Sequence, residues 1–443
     1  MNPDDSARLQ ADCTTAGLES LRWVTAAGLS AEGGLTWPET TRPGARRGDD
    51  LYEGTASVLA ALAQARLAGH TEFDAVARAA AGRLTTLIPA GPVPAGRAPD
   101  VDPGLYTGLS GMAAALRMWF LASRDQAALD AARAMVAALA ALVTQTAAAG
   151  APLTPWRDLI AGEAGLLLVL VRAGGSAGND ADDVDELDDD SRAAAGIVAD
   201  RLLTQITWVD GQPDWNPRAD DPELRPNFSH GLAGIGFALA ATAGPLDRPD
   251  LLDLAVLGGQ RLVALGQRPD GTLAVPHSFP PADDEAAYCY GWCHGPAGTL
   301  RLFELLDRLC PGRGWDGHVE AASQAVRRSG LPTRLYPGFW DNLGQCCGTA
   351  GVGEMALDRY QRTGDPAWLD WAAELAADVL ARRIADQAGV RWSHTEHRVS
   401  PPELEPSLGF MQGAAGIGAW LLRLAMVARD GRKAPTMWWP DRP

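Results

Sequence analysis

A short glycine motif that occurs seven times along the chain is the strongest constraint on its fold. Each copy is a cluster of small residues around Gly-x-x-Gly, followed by an apolar stretch of helical composition. The first glycines of the copies are Gly54, Gly108, Gly162, Gly231, Gly295, Gly348 and Gly413. Only the first copy lacks the second glycine, because Ser57 stands there. One such motif is a weak signal, whereas seven in the same context predict a chain built from one repeating unit.

The segments between these glycine clusters have the spacing of amphipathic helices. Clear examples begin near Ser123, Ser191, Leu251 and the Asp365-Pro366 pair. In the last of them, Asp-Pro is a favourable helix start, and Trp368 and Trp371 lie on one apolar stripe. Each repeat is therefore predicted to be one polar-faced helix followed by a more apolar helix that begins at the glycine cluster.

The glycine clusters also favour one arrangement of these helix pairs. Small residues at the start of every apolar helix let helix ends approach each other closely. We therefore predict an all-α fold, an α/α toroid with seven inner and seven outer helices, over an open superhelix. The N-termini of the inner helices, with their unpaired N–H groups, would gather at one end, where functional residues are expected.

The chain is expected to form a single domain over residues 1–443, with little strand structure. Its stretch 178–190, GNDADDVDELDDD, is rich in acid and poor in apolar residues. Such a run is typical of a solvated loop, and its spacing matches no EF-hand calcium loop.

The charge balance excludes two classes of partner. The chain has 38 Lys and Arg against 55 Asp and Glu, a formal net charge of -17. Such a surface repels phosphate, so we expect no nucleic acid and no anionic membrane as partner. The N-terminal residues do not resemble a signal peptide, and no uninterrupted apolar run reaches the roughly 18 residues of a membrane span. We therefore expect a cytoplasmic protein whose six cysteines are reduced.

Three of the glycine clusters carry side chains that bind metals. The fourth has His230, the fifth has Cys293 and His294, and the sixth has Cys346 and Cys347. If the clusters occupy equivalent places in the repeats, these side chains converge. Thiolate and imidazole are the ligands that Zn²⁺ prefers, and three protein ligands with an open fourth position are typical of a catalytic zinc site. The sequence therefore predicts a Zn²⁺ site formed by these clusters.

The other cysteines and histidines have simpler interpretations. Cys289 lies four residues before Cys293 and is interpreted as a bystander rather than a spare ligand. Cys13 and Cys310 fall in outer-helix segments and are expected to pack. His394 and His397 have a spacing that binds metal on a helix, but two prolines follow closely, so a loop is expected there.

In combination, the SHGLAGIG, WCHGPAG and Cys-Cys-Gly clusters resemble the lanthionine synthetase C-like family, and the resemblance extends from about Leu51 to Leu422. It implies an α/α toroid with zinc at its mouth. It also implies a cyclase that adds peptide cysteine thiols to dehydroalanine or dehydrobutyrine and so forms lanthionine or methyllanthionine thioether rings.

The resemblance also assigns site residues. It implies three zinc ligands, Cys293, Cys346 and Cys347, the last standing where many members have His. It matches His230 to the active-site histidine and Asp158 to the active-site aspartate. His294 stands where many bacterial cyclases have Tyr. Many of those cyclases also have an Arg shortly before the first zinc cysteine, and the segment AAYCYGWC has none.

The implied chemistry is consistent with these residue types. A peptide thiol has a pKa of about 8.5 and loses its proton when it binds Zn²⁺. Its attack on the β-carbon leaves an enolate that needs a proton, for which His230 is the candidate acid. Asp158 would orient His230 or accept the thiol proton. His294 is either a second acid, an enolate hydrogen-bond donor or a packing residue.

Several functions stay open from the sequence. The first is a cyclase acting on a precursor peptide, leader plus core, that a separate dehydratase, kinase or lyase has dehydrated. The second adds glutathione or another small thiol to dehydroamino acids in proteins. The third is a zinc-bearing peptide-binding subunit without catalysis. A toroidal glycosidase is disfavoured, because its carboxylate pair needs no thiolates.

Overall fold

The computed structural model describes residues 3–89, 102–177, 184–218, 220–221, 223–280, 288–333, 342–394 and 403–443. The chain divides into two compact units. Unit 1 comprises Met1–Thr86, Met118–Asp125 and Arg328–Met437, and unit 2 comprises Leu87–Arg117, Gln126–Arg327 and Trp438–Pro443.

Seven helices begin directly after the first glycine of a cluster, as predicted, and we call them cluster helices. They are α2 (Thr55–Leu67), α4 (Leu109–Ser123), α6 (Glu163–Arg172), α8 (Leu232–Ala243), α10 (Pro296–Leu309), α12 (Thr349–Thr363) and α14 (Ala414–Asp430). Seven further helices alternate with them in the described ranges, and we call them flanking helices. They are α1 (Pro3–Ala26), α3 (Asp74–Thr85), α5 (Gln126–Ala148), α7 (Asp189–Thr204), α9 (Pro249–Gly266), α11 (Trp315–Arg327) and α13 (Pro366–Ala381).

In unit 1, α14 packs between the cluster helices α2 and α12. Each of these three has its own flanking helix: α3 packs on α2, α13 on α12, and α1 on α14. The predicted start of α13 is confirmed, because Asp365 caps it by accepting a hydrogen bond of 3.0 Å from the Ala367 N–H. Trp368 and Trp371 are both buried, as the helical stripe predicts.

In unit 2, α8 packs between the cluster helices α6 and α10. Helix α9 packs on α8, α11 on α10, and α7 on both α6 and α5. Among the described residues, only α5 is long and apolar enough to cross a membrane by length and composition, and 56% of its most apolar window is buried. Because much of this helix is buried inside the protein, we interpret α5 as a core helix.

The second glycine of the motif is required by a close approach of the preceding loop. A Cβ atom on Gly298 would lie 1.9 Å from the carbonyl oxygen of Trp292. A Cβ atom on Gly351 would likewise lie 1.9 Å from the carbonyl oxygen of Gln345. No side chain fits at such distances, so only glycine lets the loop fold back onto the first turn of the helix. The exception, Ser57, uses its hydroxyl to accept a hydrogen bond of 3.2 Å from the Phe410 N–H.

Short antiparallel hairpins, which the sequence pattern did not predict, follow three flanking helices. Strands β1 (Leu29–Ala31) and β2 (Gly34–Pro38) follow α1, and β3 (Arg47–Gly48) pairs with β2. Strands β6 (Thr207–Val209) and β7 (Gln212–Asp214) follow α7, and β8 (Ile384–Asp386) and β9 (Gly389–Arg391) follow α13. The strands have two to five residues each, too short for a period-2 signal to stand out.

Each of these hairpins is tied to its helix by a buried tryptophan. The indole N–H of Trp37 donates to the carbonyl of Val24 at 2.9 Å, in the last turn of α1. Trp215 and Trp392 donate at 2.8 Å to Leu202 and Val379, in the last turns of α7 and α13. In all three cases the tryptophan lies 13 residues beyond its acceptor. The hairpin is therefore part of the repeat, and it satisfies a helix C-terminal carbonyl.

The prediction of a solvated acidic loop over 178–190 is wrong for residues 184–190. Residues 178–183 lie outside the described ranges. Val184–Leu187 form strand β5, which pairs with β4 (Gly175–Ala177). Asp188 then caps α7 by accepting a hydrogen bond of 2.8 Å from the Ser191 N–H. The acidic residues begin a helix here because carboxylates are favoured at a helix N-terminus.

Candidate metal centre

Two of the three cysteines predicted as metal ligands lie together in unit 1, and the third, Cys293, belongs to unit 2. The sulfur atoms of Cys346 and Cys347 are 3.5 Å apart. Cys293 and Cys346 are buried, and Cys347 is half-buried. In a tetrahedral thiolate site with metal–sulfur bonds of about 2.3 Å, sulfurs stand about 3.8 Å apart. The spacing of the Cys346 and Cys347 sulfurs fits that geometry, so this pair can contribute two ligands to a metal ion.

Main-chain hydrogen bonds between successive cluster loops position two of these cysteines. The carbonyl of Cys293 accepts the N–H groups of Phe228 and Ser229, at 3.1 and 2.9 Å. The N–H of Cys346 donates to the carbonyl of Met411 at 2.9 Å. Each ligand loop is thereby held by the loop of an adjacent cluster. This supports the sequence argument that the clusters occupy equivalent positions.

Cys347 has an amide neighbour that was not predicted. The side-chain amide nitrogen Nε2 of Gln412 lies 3.6 Å from the sulfur of Cys347 and 3.0 Å from the Tyr52 hydroxyl. The Asn342 amide holds it by donating to Gln412 Oε1 at 2.8 Å. Gln412 directly precedes its cluster glycine, as His230, His294 and Cys347 do. Aligning the repeats by that position would have identified it.

Asp158 and His230, the predicted catalytic pair, are in direct contact. Asp158 Oδ2 lies 2.7 Å from His230 Nδ1. The Asp158 side chain is fully buried, whereas 28% of the His230 side chain is exposed. The N–H of Ala161 donates to Asp158 Oδ1 at 2.8 Å, and the N–H of His230 donates to Asn227 Oδ1 at 2.9 Å. Backbone contacts thus fix both residues, and the carboxylate contacts the imidazole at Nδ1.

The rings of two other histidines lie near the ring of His294. One of them, His230, is a predicted site residue, and the other, His277, was not predicted. The ring centroid of His294 is 5.6 Å from that of His230. His294 stacks on His277, with centroids 4.1 Å apart and ring planes 8° from parallel. The carbonyl of His277 also accepts the Asn227 side-chain amide at 3.1 Å. The sequence analysis missed His277 because it lies outside every glycine cluster, so repeat alignment cannot identify it.

A guanidinium reaches the segment before Cys293 from another part of the chain. Arg268 donates to the hydroxyl of Tyr290 at 3.1 Å, and its Cζ atom lies 4.6 Å from the centroid of the Tyr288 ring. The segment therefore has a cationic neighbour, although it contains no Arg of its own. Arg268 follows α9, about 25 residues earlier in the chain, which is why local inspection did not find it.

The remaining candidates have other surroundings. Cys289 is buried. Burial, and secondarily the charge of Asp12, raises the pKa of Cys13 to about 12, so this thiol is inert at neutral pH. Cys310 follows the last residue of α10. His394 is buried, with Nε2 3.4 Å from Asn342 Nδ2, and its predicted neighbour His397 lies outside the described ranges.

Comparison with solved structures shows what this fold is similar to. Nisin cyclase matches with a TM-score of 0.55 and 14% sequence identity, over 87% of this chain and 94% of that chain. Cellobiose 2-epimerase from Spirochaeta thermophila matches with a TM-score of 0.49 and 15% identity, over 97% and 98% of the two chains. No curated protein matches the sequence. With the helical architecture above, the likeness to nisin cyclase confirms the predicted α/α toroid fold class.

The sequence also matches a family model over most of its length. The match covers residues 46–430, and the family is described as lanthionine synthetase C-like protein. These residues include all seven glycine clusters, the three cysteines and the Asp158–His230 pair. The chain therefore belongs to the lanthionine synthetase C-like protein family.

Proposed function

We propose that this protein is a zinc-dependent cyclase of the lanthionine synthetase type. Its reaction would add a cysteine thiol of a dehydrated peptide to a dehydroalanine or dehydrobutyrine of the same peptide, forming a thioether ring. The observation that carries the proposal is the 3.5 Å spacing of the Cys346 and Cys347 sulfurs, in a chain that matches the lanthionine synthetase C-like family model over residues 46–430. The loop of the third proposed ligand, Cys293, is hydrogen-bonded to the loop that carries His230.

The donor set suits zinc better than other common metals. Three thiolates are soft ligands, which disfavours Mg²⁺ and Ca²⁺, and a three-cysteine set leaves one tetrahedral position for a substrate. The chemistry that Zn²⁺ supplies when bound there is removal of the proton from a substrate thiol, whose pKa is otherwise about 8.5. Cys293, Cys346 and Cys347 would hold the ion, and Gln412 Nε2 is placed to donate a hydrogen bond to the Cys347 sulfur.

His230 would supply the proton that the other reactant, the dehydro residue, takes up. A carbon–sulfur bond forms at the β-carbon, the π electrons move toward the α-carbon and its carbonyl, and the α-carbon then takes a proton. Because Asp158 occupies Nδ1 of His230, Nε2 is the atom that holds and delivers this proton. Asp158 fixes the tautomer and stabilises the protonated ring. His294, 5.6 Å from His230 between ring centroids, would be a second donor toward the enolate oxygen.

The proposal includes the substrate and the setting of the reaction. The substrate is a dehydrated precursor peptide with leader and core, so a separate dehydratase, kinase or lyase must supply it. The formal net charge of -17 disfavours nucleic acid or anionic membrane as partner. We also propose a cytoplasmic location, where the three thiols stay reduced.

Thiol counting on a dehydrated, cysteine-containing peptide tests this function. Cyclisation removes free thiol without changing the peptide mass, so alkylation followed by mass spectrometry measures it. The zinc-loaded protein should accelerate the loss over buffer, and Cys293→Ala should abolish the acceleration. A parallel reaction with glutathione distinguishes the alternative, because a small-thiol transferase would add the mass of glutathione. If the zinc-loaded protein binds the peptide and all its thiols persist, the protein is a binding subunit and the catalytic proposal is wrong.

A further inference from the structure

The segment that follows Met437 contributes buried side chains to unit 2. Trp438 and Trp439 are 7% and 9% exposed, and Asp441 is fully buried. Unit 2 otherwise consists of Leu87–Arg117 and Gln126–Arg327. A short segment distant in sequence therefore completes its interior, and the contacts of this segment show what it does.

Arginines from three cluster helices hold the segment. The Cζ atom of Arg117, in α4, lies 5.2 Å from the centroid of the Trp438 ring. Arg172, in α6, donates to two main-chain carbonyls of the segment, at 2.8 and 2.7 Å. Arg301, in α10, donates to Asp441 Oδ1 at 3.0 Å. Burying a guanidinium is costly without acceptors, so the carbonyls, the indole and the carboxylate of this segment compensate these charges.

Asp441 and Trp439 meet at one tyrosine of the second cluster loop. The hydroxyl of Tyr106 donates to Asp441 Oδ2 at 3.0 Å and accepts the indole N–H of Trp439 at 2.8 Å. Burial, followed by the nearby charge of Asp441, raises the pKa of Tyr106 well above its ordinary value. The hydroxyl therefore keeps its proton, and both of its hydrogen bonds have fixed directions.

Tyr106 links this buried network to the loop of the first metal ligand. Its ring centroid lies 5.1 Å from that of Trp292, the residue before Cys293. Trp292 in turn packs edge-on against Phe228, with centroids 5.8 Å apart. The N–H of Phe228 donates to the carbonyl of Cys293 at 3.1 Å. Trp292 is 4% exposed, so the orientation of this loop depends on the rings that surround it.

We infer that Asp441 and Trp439 are positioning residues for Cys293, acting through Tyr106 and Trp292. Both side chains hydrogen-bond to Tyr106, so they act on the loop rather than on a ligand directly. The consequence for metal binding rests on the proposed function, whereas the structural link to the Cys293 loop does not.

Hydrogen exchange tests the structural link without a metal. In metal-free protein, Tyr106→Phe removes only the hydroxyl that joins Asp441 and Trp439. The amides of Phe228 and Ser229, which donate to the Cys293 carbonyl, should then exchange about tenfold faster or more, corresponding to about 1.4 kcal/mol. The control is Asp430→Asn, which removes a surface carboxylate that pairs with Arg429. In this variant the amides of Phe228 and Ser229 should exchange as in the parent. Unchanged exchange in Tyr106→Phe overturns the inference.

A second measurement uses the metal directly. Co²⁺ binding, followed by its absorption, should weaken in Tyr106→Phe and in Trp439→Phe, which leaves the Asp441–Arg301 ion pair intact. Asp441→Asn is the harsher variant because it weakens the buried partner of Arg301, so Trp439→Phe keeps the test decisive if Asp441→Asn does not fold. If the parent chain binds no Co²⁺, the proposed function fails, and the exchange experiment still decides the positioning role. Parent-like Co²⁺ affinity in both Phe variants contradicts the inference.

Discussion

Asp158 Oδ2 lies 2.7 Å from His230 Nδ1, although 72 residues separate the two in sequence. The carboxylate is fully buried and the imidazole is partly exposed. Because the buried partner accepts from Nδ1, Nε2 is the ring nitrogen that can meet a substrate. This arrangement gives the imidazole a defined direction toward any substrate in the site.

Asp158→Asn is therefore expected to slow the proposed thiol addition by about 10² or more, in line with the usual contribution of acid–base catalysis. An amide at this position holds the ring less strongly and does not stabilise its protonated form. The measurement is the rate of thiol loss from a dehydrated peptide at saturating peptide. Asp220→Asn, at an exposed carboxylate that pairs with Arg218, is the control and should react at the parent rate. A parent-like rate in Asp158→Asn would show that the pair is only structural.

Cys347→Ala is expected to lose bound zinc. Removing one of the three thiolates proposed as ligands leaves too few for a stable tetrahedral site. The measurement is metal content by elemental mass spectrometry after dialysis. Cys289→Ala is the matched control, because Cys289 is a buried cysteine four residues before Cys293 and is not one of the proposed ligands. Full zinc occupancy in Cys347→Ala would place the ligand elsewhere.

Trp215→Phe is expected to destabilise the protein by about 1–3 kcal/mol. The substitution removes the indole N–H that donates to the Leu202 carbonyl at 2.8 Å, and a buried acceptor left without its donor costs about that much. Urea unfolding measures the change. Trp208, in the same hairpin, is 57% exposed, so Trp208→Phe should change the free energy of unfolding by less than about 0.5 kcal/mol. Equal effects of the two substitutions would contradict the role assigned to Trp215.

Glu53 is expected to make stability depend on pH. Burial, and secondarily the charge of Glu39, raises the pKa of Glu53 from 4.5 to about 7. Between these two values the folded state binds more protons than the unfolded state, so the free energy of unfolding falls as pH rises from about 4.5 to 7. Above pH 7 both states are ionised and this loss is complete.

Glu53→Gln removes that titration. We compare the free energy of unfolding of the variant with that of the parent chain at each pH. This difference, variant minus parent, should be higher at pH 8 than at pH 4 by on the order of 1–3 kcal/mol. The loss of the ion pair with Arg46, whose side chain is 66% exposed, offsets little of this. Urea unfolding at the two pH values measures the difference. A stability difference that is the same at both pH values would show that Glu53 titrates normally.

Much of this architecture follows from local rules. The helices that begin after Gly231, Gly295 and Gly348 were predictable because a helix start depends on neighbouring residues, and apolar spacing marks the helix that follows. The three cysteines were predictable for a related reason. Cys293 and Cys347 lie close to the starts of their repeats, so equivalence of repeats predicts this ligand set without any knowledge of the packing.

The missed features depend on contacts between distant parts of the chain. Tyr106 and Asp441 are 335 residues apart, and neither belongs to a motif that names the other. The stack of His277 on His294 likewise arises from the path of the chain after α9. The hairpins were missed because their strands are short and their stability comes from a tryptophan bonded to the preceding helix.

The sequence alone determined the repeat, the helix starts, the fold class and the cysteine set, because each depends on residues within one repeat or on the equivalence of repeats. Only the tertiary structure decided which groups surround those cysteines. Gln412 beside Cys347, Asp158 on His230 Nδ1 and the segment from Trp438 beneath Tyr106 result from close packing, and packing is set by all the side chains together.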